Sequence, residues 1–152
     1  MNNHQRIGSQ NNAAVGRDFE DKIHDYFLSK DKEWSDLKKQ LSIEIGVSSF
    51  KKEHKFDLGS RKKKIIIECK SGKWTKSLNV PSAKMSVWNE AMYYFHLAPK
   101  SYKKYFVVLK DFNKKKKITL VQYYIRRYEH MIPKGVNIFE YDEHNNNLEK
   151  VF

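Results

Sequence analysis

Between residues 13 and 29 the apolar side chains Val15, Phe19, Ile23, Tyr26 and Phe27 recur at intervals of three and four, the spacing of an amphipathic helix. Trp34, Leu37 and Leu41 continue that spacing. Ile43, Ile45 and Val47 then alternate with polar residues, which predicts a half-buried strand. Residues 55–58 and 64–70 predict two more strands, and the second carries three consecutive isoleucines, as in a strand covered on both faces. Gly59 and Ser60 supply the expected turn between them. Pro81 opens a second helix running to about residue 96, with Met85, Trp88, Met92 and Phe95 on its apolar stripe and Pro99 beyond its end. Residues 105–109 predict a strand, 119–131 a third helix with Val121, Tyr124, Ile125 and Tyr128 inward, and 136–141 a last strand.

This order of helix, three strands, helix, strand, helix, strand implies an α/β fold with a central mixed sheet of four or five strands and helices on both faces. Residues 1–12 are polar and rich in Asn and Gln, and are expected to form a flexible tail ahead of one domain over residues 13–152. No internal repeat is visible.

Composition changes this picture in one respect. Thirty basic residues stand against eighteen acidic ones, a formal net charge of +12 that points to a polyanionic partner. Nine tyrosines, nine phenylalanines and three tryptophans are too many for a disordered basic tail, so a folded nucleic-acid-binding domain fits better. No apolar run approaches the roughly 18 residues that span a bilayer, and no secretory leader is expected. The single cysteine, Cys69, excludes an internal disulfide and makes a reducing cytoplasm the expected location.

The candidate chemistry lies in residues 56–70. Asp57 ends a short apolar-polar run, and eleven positions on Glu68 and Lys70 stand two apart within the isoleucine strand. Alternate strand residues share a face, so Glu68 and Lys70 project together and Cys69 points the other way. A strand folded back at the turn would bring Asp57 beside them. Two carboxylates and an amine at one spot suit a hard divalent cation and phosphodiester hydrolysis. The plainer alternative is an ordinary Glu–Lys pair on a solvated strand. Against it, charges intruding on a dry isoleucine strand are costly unless a metal or a partner charge compensates them.

This acid, gap, acid-x-Lys pattern in a hydrophobic strand, after a helix bearing Glu20, resembles the PD-(D/E)xK nuclease superfamily, whose restriction-endonuclease-like fold also includes archaeal-type junction resolvases. The resemblance covers about residues 15–109. It matches Asp57 to the first acid, Glu68 to the second, Lys70 to the lysine and Glu20 to the upstream helix glutamate; Phe56 stands where a proline often precedes the first acid. It implies a Mg²⁺-dependent endonuclease acting on DNA, with Mn²⁺ able to substitute and no small-molecule cofactor. Asp57, Glu68, the Cys69 backbone carbonyl and Glu20 would hold the metal, and a homodimer would cut both strands. Asn89 and Tyr93 loosely match a Gln-x-x-x-Tyr element of exonuclease-type members, with Asn for Gln; a polar residue beside a core tyrosine is the simpler reading.

Further candidates surround this set. Lys73 and Trp74 follow the catalytic strand and can grip phosphate and stack on a base, or Trp74 can be buried. Ser82 and Lys84 begin the second helix, where an anion is favoured. Arg61 and Lys62 sit in the turn between the two acid-bearing strands. The six histidines show no metal-ligand spacing, and no Gly-rich phosphate loop or nucleophile elbow is present. Two other functions remain open: a non-catalytic nucleic-acid-binding domain on the same fold, and a basic interaction protein with an acidic partner.

Overall fold

Ile65, Ile66 and Ile67 are buried completely or nearly so, and the rest of the fold follows from what covers them. The computed structural model of the chain describes residues 4–152. Helix α1 (His4–Lys30) is followed by a single 3₁₀ turn and by strands β1 (Lys38–Ile45), β2 (Lys52–Ser60) and β3 (Ile65–Lys70). Helix α2 (Ser82–Leu97), β4 (Lys103–Leu109), a two-stranded hairpin of β5 (Phe112–Asn113) and β6 (Ile118–Thr119), α3 (Leu120–Tyr128), β7 (Val136–Asp142) and β8 (Asn147–Lys150) complete the chain.

The main sheet has six strands in the order β1-β2-β3-β4-β7-β8. Strands β3, β4 and β7 are parallel and form its centre; β1, β2 and β8 run antiparallel to their neighbours. The centre is parallel because each link between these strands contains a helix, α2 and then α3, that crosses back over one face. On that face Phe56, Ile66, Phe106, Val108 and Ile138 pack under Trp88, Met92, Phe95, Leu120 and Tyr124. On the other, Leu58, Ile65, Ile67, Cys69 and Val107 pack under Phe19, Ile23 and Phe27 of α1. A strand with cores on both sides has no polar face to spare, which is why β3 reads as an isoleucine run.

The sheet is thus mixed and flanked by helices as expected, but with six strands rather than four or five. Strand β8 escapes a hydrophobicity reading because it is a polar edge strand with only Leu148 half-buried. Trp34 and Leu37 do not prolong α1: β1 starts at Lys38. Helix α1 begins at His4, so residues 4–12, expected in the tail, are helical, and residues 1–3 lie outside the described part.

The β2–β3 turn also moves. Gly59 and Ser60 are the last residues of β2 and pair with Ile66 and Ile65; the turn itself is residues 61–64. Gly59 serves close approach rather than turn flexibility: a Cβ there would lie 2.5 Å from Leu41 Cδ2 and 2.8 Å from the Ile65 carbonyl oxygen. The left-handed residue at the turn is Lys64, with φ of 50°.

Candidate active site

Strand β3 leaves the core at its C-terminal end. Ile66, Glu68 and Lys70 share the face under α2, and past Ile66 the helix offers only Ala91, Val87, Glu90 and Tyr94. These side chains leave a cleft of about 270 Å³, also lined by His54, Lys55, Asp57, Glu68 and Lys70.

A break in β2 delivers Asp57 to this cleft. The β2–β3 ladder ends at Leu58 opposite Ile67. One step on, Asp57 Oδ2 accepts the Cys69 amide N–H at 2.7 Å, so a side chain replaces the next ladder bond. Gln40, across from Asp57 in β1, has a left-handed φ of 53°. Phe56 and Leu58 are two residues apart, yet they enter opposite cores, whereas residues two apart in a regular strand share a face. The chain therefore twists about Asp57 and turns its carboxylate into the gap beside β3. The N–H and C=O of one strand residue project to the same side, so Cys69 directs its carbonyl into this gap as well.

Lys70 Nζ donates to Glu68 Oε2 at 2.7 Å and lies 3.7 Å from Asp57 Oδ2, so both carboxylates surround one ammonium. His54 Nε2 approaches Glu68 Oε1 at 3.4 Å, and its ring stacks on Tyr94 with centroids 3.8 Å apart. Tyr94 in turn donates to Glu90 at 2.7 Å. Each Glu68 oxygen has two lone pairs, so a cation can share it with these donors.

Electrostatics divides the two acids. Burial pushes the Asp57 carboxyl up to about 7 from its ordinary 3.8; the Glu68 charge adds to this, and Lys70 and the Cys69 amide only partly offset it. Burial acts on Glu68 too, but His54 and Lys70 outweigh it and hold that carboxyl below its ordinary range. For Lys70, burial is outweighed by Glu68 and Asp57, which keep the ammonium charged. The cluster near neutral pH is a firm Glu68–Lys70 pair beside a carboxyl poised to lose its proton. Burial raises the Cys69 thiol well above its ordinary range, as befits an inert core residue.

Glu20 approaches from the other side of Lys70. It is half-buried on α1 and feels the charges of Lys70 and Glu68, but its hydrogen bond goes to Gln40, at 3.5 Å. It lines a second cleft of about 230 Å³ with Gly16, Lys70, Gly72, Lys84 and Trp88. Lys84 and Ser82 are exposed at the start of α2, and Lys84 borders this cleft.

Other expected contacts fall elsewhere. Arg61 and Lys62 lie at the N-terminal end of β3, the opposite end from Lys70, where Arg61 donates to the Ser42 carbonyl at 2.6 Å. Trp74 cannot stack on a base: it is buried, its amide and indole N–H groups bonded to Asp111 at 2.7 and 3.0 Å. Lys73 beside it is exposed. Asn89 accepts from Tyr124 at 2.9 Å and Tyr93 is exposed, both on the flank of α2 away from the cleft. The four-residue spacing that faces the cleft belongs to Glu90 and Tyr94. Sequence reasoning missed these two and His54, although the adjacent tyrosines at 93 and 94 left the register of the pair open by one residue.

Among the described residues, no three His, Cys, Asp or Glu side chains cluster as a ready-made metal cage. The donors in hand are Asp57, Glu68 and the Cys69 carbonyl. This is a sparse all-oxygen set of the kind Mg²⁺ accepts, since it keeps several waters and takes substrate oxygens. Compared with known proteins, the chain matches no family model, no curated protein and no solved structure.

Proposed function

We propose that this chain is a Mg²⁺-dependent endonuclease that hydrolyses DNA phosphodiester bonds on a restriction-endonuclease-like core. One observation carries the proposal: two carboxylates surround a half-buried lysine at the mouth of a strand that is otherwise dry. Ordinary ion pairs are found on solvated surfaces, and withdrawing ionisable groups from water is costly without a function that uses them.

Asp57, Glu68 and the Cys69 carbonyl would hold the ion, which when bound supplies an acidified water and offsets charge on the phosphate. Lys70 binds a non-bridging phosphate oxygen and orients the attacking water against phosphorus, its own charge held by Glu68. His54, braced by Tyr94, fixes the Glu68 carboxylate. Glu20 borders the path by which the strand leaves the cleft. One such site cuts one strand, so cutting a duplex through would take two copies of the chain.

The test is a cleavage panel of supercoiled, linear, single-stranded and four-way DNA with Mg²⁺, Mn²⁺ and EDTA. The expected result is metal-dependent nicking or cleavage that EDTA stops. Salt-sensitive binding with no cleavage in any metal would leave a nucleic-acid-binding domain in its place.

A further inference from the structure

The four lysines at residues 114–117 form the tip of the β5–β6 hairpin, and this tip is unusually well built for an exposed loop. Asn113, fully buried, accepts the amide N–H groups of Lys115 and Lys116 at 3.0 and 2.9 Å and donates to the Leu78 carbonyl at 2.9 Å. The Lys117 amide closes the turn onto the Asn113 carbonyl at 2.8 Å. The hairpin is therefore tied to the loop that follows β3. Asp111 ties it a second time through Trp74.

A few lysines elsewhere are neutralised. Lys22, Lys39, Lys63 and Lys110 each have a carboxylate partner at 2.6–3.5 Å. Among the described residues no acid lies within ion-pairing distance of the four turn lysines, all of which are exposed. The backbone that carries these four uncompensated charges is thus held in one turn conformation, where mutual repulsion would otherwise favour a loose loop.

Their location gives the partner. Strand β4 is parallel to β3, so the hairpin that follows it lies at the same edge of the sheet as Lys70. Trp74 stands four positions after Lys70 and Lys114 three after Asp111, so the turn lies within roughly 30 Å of the cleft. One turn of duplex is about 34 Å long.

We propose that residues 114–117 are a backbone clamp for duplex DNA, gripping phosphates within one helical turn of the bond held at Lys70. This rests on the nuclease reading for the identity of the polyanion, but not on catalysis. A clamp of lysine ammonium groups reads phosphate and not base sequence, so its signature is ionic.

The experiment measures binding of the full chain to a labelled duplex of about 20 base pairs in EDTA, as a function of salt. The clamp variant carries Lys114→Ala, Lys115→Ala, Lys116→Ala and Lys117→Asn, the asparagine because residue 117 has φ of 57°. A charge-matched control carries Arg61→Ala, Lys62→Ala, Lys64→Asn and Lys100→Ala at the opposite end of the strands, the asparagine again for a left-handed φ, of 50°. Each phosphate contact contributes about 0.9 to the slope of log K against log salt, so the clamp variant should lose roughly 3 to 4 of that slope and the control less than about 1. Equal losses in the two variants, no loss in the clamp variant, or no binding by the unmodified chain would each overturn the clamp. A chain that binds through these lysines yet cleaves nothing would lose the nuclease assignment and keep the clamp; one that cleaves with an unchanged slope would do the reverse.

Discussion

The two ends of the central strands are both basic, yet they differ in what the charges do. At the N-terminal end, Lys63 is held by Glu33 and lies over the Trp34 ring, Arg61 is bonded to a backbone carbonyl, and Ser60 donates to Asp36. At the C-terminal end, carboxylates enter the sheet itself and surround Lys70, while residues 114–117 have no acid partners among the described residues. Positive charge therefore does not mark the site. Two carboxylates converging on one lysine mark it, and the topology decides which further lysines stand near them.

If this contrast is right, changes at the C-terminal end remove activity and spare the fold, and changes at the N-terminal end do the opposite. The largest effect belongs to Glu68→Gln and Lys70→Ala, which should each lower metal-dependent nicking by roughly 10²- to 10⁴-fold, with circular dichroism showing a native fold. Next comes Gly59→Ala at the other end. Its Cβ would meet Leu41 and the Ile65 carbonyl, so the variant should lose about 1–3 kcal/mol in denaturant unfolding and cleave normally at low temperature.

A smaller effect concerns pH. The Asp57 carboxyl is raised from 3.8 to about 7 in the folded chain, so the folded state holds a proton that the unfolded state has released. Stability supplied by that proton is present below about pH 4 and is lost as pH rises through about 7. Melting of the metal-free protein should therefore show a decline over that window that Asp57→Asn abolishes, and Mg²⁺ should stabilise more at pH 8 than at pH 6. The smallest effect is at Arg61 and Lys62. Substituting both with alanine should change the nicking rate by less than about twofold, and a tenfold loss would erase the distinction between the ends.

Much of the fold was legible because its core elements carry strong signals: the α1 stripe, the isoleucines of β3, Pro81 before α2 and the inward Val121 and Tyr124 of α3. What escaped was set by tertiary contact. Strand β8 has no apolar face to betray it. Gly59 looks like a turn residue until the strand against it is known. The meeting of Asp57 with Glu68 and Lys70 was foreseen, but by strand reversal alone; the twist that turns Asp57 into the sheet plane, with Gln40 in a left-handed conformation opposite, has no signal in residue type. On α2, Val87, Ala91 and Tyr94 lie on one side of the apolar stripe and Asn89 and Tyr93 on the other, so only the direction of the sheet beneath shows which side meets the cleft.

The most direct measurement compares Asp57→Asn with the unmodified chain in nicking of supercoiled plasmid with Mn²⁺ or Mg²⁺, alongside the melting temperature of each. Asparagine keeps an oxygen for the Cys69 amide but removes the buried charge. The account predicts a melting temperature equal to or above that of the unmodified chain at pH 8 and a nicking rate at least about 100-fold lower. A variant that nicks at the unmodified rate would contradict it.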